Sequence, residues 1–346
     1  MKRVGIVGHF GNGQSLLNGQ TIKTKIVASE LKRVLGNDNV WTIDTHGGVK
    51  SLFKIPLLLI FALIRCKNVV ILPAQNGLRI IAPLLFMLNL FFQRKIHYIV
   101  IGGWMPNLIL NRSFLTHCLK RFDHIYVETS IMKKTLDERG FSNVIIMQNC
   151  KPLDIISKHD IKNIDSDEFR LCIFSRIMKQ KGLEHAVAAI KTLNERFGKY
   201  SCSLDIYGQI EFSETEWFNK LQKTFPDNVC YKGVVPFDKS VDVLKNYSAL
   251  LFPTLFFTEG IPGTIIDAYA AGLPVISSKW ASFSDIVNEE KTGYGYEFGS
   301  FEQLCSLLEK LMFSKNKINE MRENCIIEAN KFLPMNAMNI FISKLR

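Results

Sequence analysis

Short apolar runs alternate with longer amphipathic segments along the whole chain. Residues 4–7, 40–43, 69–72, 96–101, 124–127 and 144–147 read as strands, and segments near 19–35, 51–65, 77–92, 111–121 and 130–139 between them as helices. The strands are near-continuous apolar runs, as expected of parallel strands covered on both faces. A polar stretch over 151–167, containing Pro152, reads as a linker. The pattern then restarts, with strands at 170–174, 203–207, 229–234, 249–252 and 274–277 and helices between them. From Phe301 the chain reads as helical, broken at Pro334, and its last segment (334–346) is expected to pack back on the first half. No repeat or low-complexity tract interrupts this order. The expected fold class is α/β: two doubly wound, Rossmann-like domains, 1–150 and 151–333, facing each other across a cleft at the carboxyl ends of their strands.

The length of 346 residues is in keeping with two domains, each able to bury a core. Eight Cys without any C-x-x-C spacing read as reduced, mostly buried thiols of a cytosolic protein. The apolar stretches 55–64 and 80–92 fall short of the ~20 residues that span a bilayer, so no transmembrane helix is expected. Charge is divided unequally. Residues 1–150 hold 19 Lys and Arg against 7 Asp and Glu, whereas 151–346 hold 24 against 25. The basic half suits nucleic acid, an anionic membrane face or an acidic substrate, or else a merely solvated surface.

The glycines after the first strand invite two assignments that both fail. Gly8-His9-Phe10-Gly11-Asn12-Gly13-Gln14-Ser15 has the spacing of a P-loop, but Gln14 stands where the lysine is needed. Leu16 occupies the third glycine position of a dinucleotide fingerprint. Asn18-Gly19-Gln20-Thr21, opening a helix, is the better anion site. In the second half, Ser175-Arg176 ends a strand and is followed by Lys179-Gln180-Lys181-Gly182. A forked guanidinium and a point-charge ammonium suit a diphosphate, and without one both charges are expected to be solvated. Glu259 and Asp267 flank Gly260-Ile261-Pro262-Gly263-Thr264-Ile265-Ile266. Amides at Gly263 and Thr264 would face an anion, and Asp267 could accept from a diol.

The run E-G-I-P-G-T-I-I-D-A-Y-A-A-G-L-P-V-I resembles the signature of the retaining GT-B glycosyltransferases of group 1 (family 4), with Asp267 replacing their second Glu. Ser175-Arg176, Lys181-Gly182, Tyr207-Gly208, Lys232-Gly233-Val234, Asp285-Ile286-Val287 and Lys291-Thr292-Gly293 extend the likeness over nearly all of 170–297. Gly19-Gln20-Thr21 and Gln148-Asn149 match more loosely. Gly102-Gly103-Trp104 is similar to members that build bacterial capsular or exopolysaccharide chains and stands where many members carry a histidine; His97 lies too early in its strand to replace it.

The resemblance implies transfer of a hexose from a nucleotide diphosphate sugar, with uridine the commoner base, to a glycan acceptor that is lipid-linked through a polyprenyl diphosphate. It implies no cofactor and no bound metal. Arg176 and Lys181 would hold the departing diphosphate, Asp267 the ribose and Glu259 a donor-sugar hydroxyl. Gly263, Thr264, Ile265, Gly19, Gln20, Tyr207 and Val234 would complete the donor side, with His9 and Trp104 on the acceptor side. Same-face attack, with the leaving phosphate taking the acceptor proton, is the expected mechanism. His185, Tyr269 and Trp280 read as structural.

A sugar-nucleotide epimerase of the same fold and a nucleic-acid-binding protein are the competing assignments. The basic half lacks an aromatic stacking motif, which disfavours nucleic acid. The two apolar runs, flanked by Lys50, Lys54, Arg65, Lys67, Arg79, Arg94 and Lys95, imply a peripheral enzyme on the cytoplasmic face of an anionic membrane. The competing view of those runs is that both are core helices.

Overall fold

The computed structural model describes residues 2–11, 19–46, 54–163, 168–198 and 201–345. By its contacts the chain divides into one unit of Met1–Pro152 with Leu333–Arg346 and a second of Leu153–Phe332. Among the described residues each unit holds a six-stranded, wholly parallel sheet.

In the first unit β1 (Lys2–Gly8), α1 (Gly19–Leu35), β2 (Val40–Asp44), α2 (Ile55–Arg65), β3 (Cys66–Leu72), α3 (Gln75–Phe92) and β4 (Lys95–Ile99) are followed by α4 (Met105–Leu108), α5 (Ser113–Lys120), β5 (His124–Val127), α6 (Ser130–Asp137) and β6 (Val144–Ile146). The strand order is β2-β1-β3-β4-β5-β6. Winding therefore reverses between β1 and β3, and ligands of such sheets sit outside the carboxyl ends at that point. Alternate residues of β1 serve two cores. Val7 faces the layer of α2, α3 and α5, whereas Val4 and Ile6 face α1 and the returning C-terminus. The helix α3 has 18 residues, longer than its apolar run suggested, and by length and composition alone it is apolar enough to cross a membrane. Here it is the crossover between parallel neighbours β3 and β4, with Leu78, Ile81, Ala82 and Leu85 in the core.

The second unit runs β7 (Phe169–Phe174), α7 (Leu183–Phe197), β8 (Cys202–Tyr207), α8 (Thr215–Gln222), β9 (Val229–Gly233), α9 (Ser240–Leu244), β10 (Ala249–Phe252), α10 (Gly263–Ala270), β11 (Val275–Ser278), β12 (Gly293–Tyr296), α11 (Phe301–Met312) and α12 (Lys315–Ala329). Its order, β12-β11-β10-β7-β8-β9, reverses between β7 and β10. The strand β12 was not foreseen, because its sequence Gly-Tyr-Gly-Tyr reads as a turn; parallel pairing with β11 makes it a strand. The end of α10 is braced by Arg322 of α12, whose buried guanidinium donates to the carbonyls of Tyr247 and Gly272. Burial pushes that guanidinium down to about 10.

The closing helices α13 (Pro334–Ala337) and α14 (Asn339–Lys344) belong to the first unit, where Met338, Phe341 and Leu345 are buried. Beneath them lies a buried polar chain. Asn68 donates to Leu345 O at 3.2 Å and to Arg3 O at 3.0 Å, which leaves its Oδ1 to accept from His97 Nε2 at 3.1 Å. The Tyr126 hydroxyl then donates to His97 Nδ1 at 3.2 Å. His97 is thus a structural residue. Desolvation, with smaller contributions from His124 and Lys95, lowers its pKa to about 3. The folded state therefore binds fewer protons than the unfolded chain between about pH 6.5 and pH 3, and stability is lost as pH falls through that window. The loss expected from this residue is about 2 kcal/mol at pH 5 relative to pH 8. Thermal melts from pH 4.5 to 8 should show it, with a flatter profile in His97→Gln; a wild-type midpoint indifferent to pH below 6.5 would refute the assignment.

Candidate functional site

At the switch point of the second sheet the loops leaving β7 and β10 lie side by side. Gly182, at φ +71°, comes so near that a Cβ there would fall 1.9 Å from Pro253 O. Leu255 N donates to Gln180 O at 2.8 Å, and these contacts bring Lys181 to Glu259, Nζ to Oε2 at 2.6 Å. The Thr254 hydroxyl donates to the same carboxylate oxygen at 3.3 Å. The Lys181 and Glu259 side chains are only 14% and 17% exposed. The expectation of a solvated Lys181 is thereby corrected: its charge is compensated by a residue 78 positions away.

Arg176 is not held by either signature carboxylate. It donates to Glu211 at 3.0 Å, in the loop after β8, and remains half exposed. That loop braces the cationic one along its length. Ile177 N donates to Gln209 O, Glu211 N to Ile177 O, and Lys179 N to Glu214 Oε2 at 2.5 Å. Glu211 and Glu214 were not singled out from the sequence, where acids in a loop pass for solvated charges.

The helix α10 starts beside Glu259. Gly263 and Thr264 form its first turn, whose amides have no partner within the helix. A Cβ on Gly263 would meet nothing within 4 Å, so internal packing does not demand a glycine there. The Thr264 hydroxyl is shut away from solvent without a hydrogen-bond partner. Ile265 is wholly buried, and Asp267, one turn further, is 4% exposed. At the end of β8 the Tyr207 and Tyr247 hydroxyls meet at 2.6 Å, and Tyr247 donates to Asp205 at 2.7 Å. Val234, just past β9, is exposed. Tyr269 and Trp280 are buried, and His185 packs its ring edge-on to Phe301, all three in structural roles.

At the switch point of the first sheet, Gln20 in the first turn of α1 donates to Leu72 O, the last carbonyl of β3, at 3.3 Å. His9 follows β1, with Nδ1 2.7 Å from Thr21 Oγ1 and Nε2 2.9 Å from His46 Nδ1. Asp44 fixes both loops by accepting from Phe10 N and His46 N, each at 2.8 Å. Burial first, then the neighbouring His46, lowers the His9 pKa. His46 escaped the sequence reading, although its position two residues past β2 was the available signal. Gly19 is exposed at the start of α1, and Trp104 is half-buried against the core beneath α3 and α5. Asn18 and most of the glycine-rich segment before it (12–18) lie outside the described residues, as does Lys50.

A doubly wound domain with an ammonium–carboxylate pair and an open helix start at its switch point has its polar groups where sheets of this class place their ligands. The model of the family "Glycosyl transferases group 1" matches residues 154–332, and the chain belongs to that family. It is 26% identical over 151 residues to the amylovoran biosynthesis glycosyltransferase AmsK of Erwinia amylovora, covering 41% of this chain and 35% of that protein. With the capsular polysaccharide biosynthesis glycosyltransferase CapM of Staphylococcus aureus it shares 26% identity over 151 residues, 42% and 37% of the respective chains. The chain thus spans about half or less of the length of the curated relatives it matches. Among solved structures it resembles Anabaena Alr3699/HepE in complex with UDP, with a TM-score of 0.76 at 12% identity over 100% of this chain and 99% of that one. The fold is GT-B, as the sequence implied.

Proposed function

We propose that the protein is a retaining hexosyltransferase of surface-polysaccharide synthesis. It takes a UDP-sugar as donor and a lipid-linked glycan as acceptor, at the cytoplasmic face of a membrane. One observation carries the reading: Lys181 and Glu259 meet at a topological switch point, beside a helix start with an open glycine and an unpartnered hydroxyl. Among solved likenesses, the Anabaena protein was crystallised with UDP and with UDP-glucose.

A bound diphosphate would take Lys181 from Glu259 and Arg176 from Glu211, adding the amides of Gly263 and Thr264. Glu259, released, accepts from a hydroxyl of the donor sugar, and Asp267 from the ribose. The bond from the sugar C1 to the diphosphate oxygen then breaks while the acceptor oxygen bonds to C1 on the same face. The departing phosphate oxygen takes the acceptor proton. Cations aimed at that oxygen favour the charge that develops there, which is why no metal is required in this account. The sequence contains an Asp-x-Asp triplet, Asp165-Ser166-Asp167, which lies outside the described residues.

The test is product analysis by proton NMR, with UDP-hexoses offered to a lipid-linked acceptor with and without chelator. The expected product keeps the donor's anomeric configuration, at a rate that survives chelation. Inverted product, or strict dependence on added magnesium or manganese, would overturn the corresponding part. Conversion of the donor sugar without acceptor would identify an epimerase instead.

A further inference from the structure

The layer formed by α2, α3 and α5 is apolar on two sides. Its inner side, with Ile55, Leu59, Leu63, Leu78, Ile81 and Leu85, fills the core of the first unit. Its outer side repeats the pattern half a turn away. Leu57, Phe61 and Ile64 form an exposed i, i+4, i+7 stripe on α2, and Ile80, Met87 and Phe91 a parallel one on α3. Leu57 is 58%, Leu90 62% and Phe91 85% exposed. Phe114 of α5 and Leu110 just before that helix extend the same layer, both more than half exposed. A core assignment explains the inner stripes and leaves the outer ones unexplained, since a domain surface seldom gathers so many large apolar side chains.

The sequence that carries these stripes has charge of one sign. No Asp or Glu occurs between Asp44 and Asp123. Exposed cations stand at both ends of the layer: Lys54 and Arg79 toward the starts of α2 and α3, and Arg65, Lys67 and Lys95 at their far ends. An apolar strip framed by cations, with Asp123 near Lys95 at one end, is complementary to a bilayer of anionic lipid. Acyl chains take the stripe while headgroups take the lysines and arginines.

We propose that the outer face of α2 and α3 is the docking surface for an anionic bilayer, with both helices lying flat in the headgroup boundary and neither crossing it. This deepens, and rests on, the reading of the chain as a transferase working on a lipid-linked acceptor. The inner stripes keep α3 tied to β3 and β4, so its length and composition do not make it a span.

Co-sedimentation of the full chain with vesicles tests the surface without donor or acceptor. Binding is expected to phosphatidylcholine vesicles containing phosphatidylglycerol, at least tenfold above pure phosphatidylcholine at low salt, and to fade as salt is raised. Leu90→Glu with Phe91→Glu should lose at least tenfold of it, and so should Arg65→Glu with Lys67→Glu. Both double variants should keep the wild-type melting curve and wild-type transfer to a short-chain soluble acceptor. Equal association with both vesicle types, or double variants that bind like wild type, would overturn the proposal. So would wild-type self-association abolished by Leu90→Glu with Phe91→Glu, since the face would then cover a second copy. Lost transfer to the soluble acceptor with vesicle binding intact would strike the catalytic reading alone.

Discussion

Lys181→Ala is expected to lower turnover with saturating donor by roughly 10²–10³-fold, the cost usual for removing one preorganised donor to a developing oxyanion. Two effects act together. The diphosphate loses its least exposed cation, and the carboxylate of Glu259, which accepts from Lys181 at 2.6 Å, is left facing an anion. Arg176→Ala should be milder, at roughly 10–10²-fold by the same scale, because Arg176 is half exposed and already shared with Glu211. The two variants should also part in stability. Arg176 and Glu211 form a surface pair of small net worth. The Lys181–Glu259 pair is mostly shielded, so Lys181→Ala should lower the melting temperature as well, and Lys181→Ala with Glu259→Gln should recover stability without recovering rate. Near-wild-type turnover in either single variant would remove the diphosphate assignment. A double variant with restored rate would mean that Lys181 serves only to neutralise Glu259.

Local pattern was enough for much of this architecture. The strands at 124–127 and 249–252 were placed to the residue, because continuous apolar runs bounded by polar segments leave little choice in a parallel sheet, and the amphipathic spacing near 19–35 located α1. The candidate site was legible where one contiguous run carries it, from Glu259 through Asp267. What local pattern does not contain is pairing across distance. Lys181 meets Glu259, Arg176 meets Glu211 and His9 meets His46 only because strand order sets their loops side by side. Side chains that look solvated one at a time become compensated when the sheet assembles. The apolar runs of α2 and α3 and their flanking cations were visible in the sequence, but which side chains of each helix face outward is set by the neighbours that cover the rest.

Gly208→Ala and Gly263→Ala, the same substitution at the two edges of the site, should fail in opposite ways. Gly208 follows β8 at φ +142°, and a Cβ there would lie 1.7 Å from Ser175 O. That carbonyl belongs to backbone at the start of the cationic loop, so no rotamer change relieves the clash. Gly208 is also pinned, its N–H donating to Gly233 O and its carbonyl accepting from the Tyr231 hydroxyl at 2.8 Å. Alanine must therefore part the β7 and β8 ends, at a cost of about 4 kcal/mol or more, among the largest for a point substitution. For a unit of this size that is a fall of roughly 10 °C in melting temperature, or failure to accumulate as folded protein. At Gly263 the added methyl meets open space, so Gly263→Ala should melt like wild type. Its Cβ would instead occupy ground assigned to the diphosphate, and UDP should bind at least tenfold more weakly by calorimetry. Undiminished UDP affinity in a folded Gly263→Ala protein would show that the start of α10 does not hold the donor. An unshifted melt in Gly208→Ala would show that the approach of β8 to Ser175 is not what fixes the cationic loop.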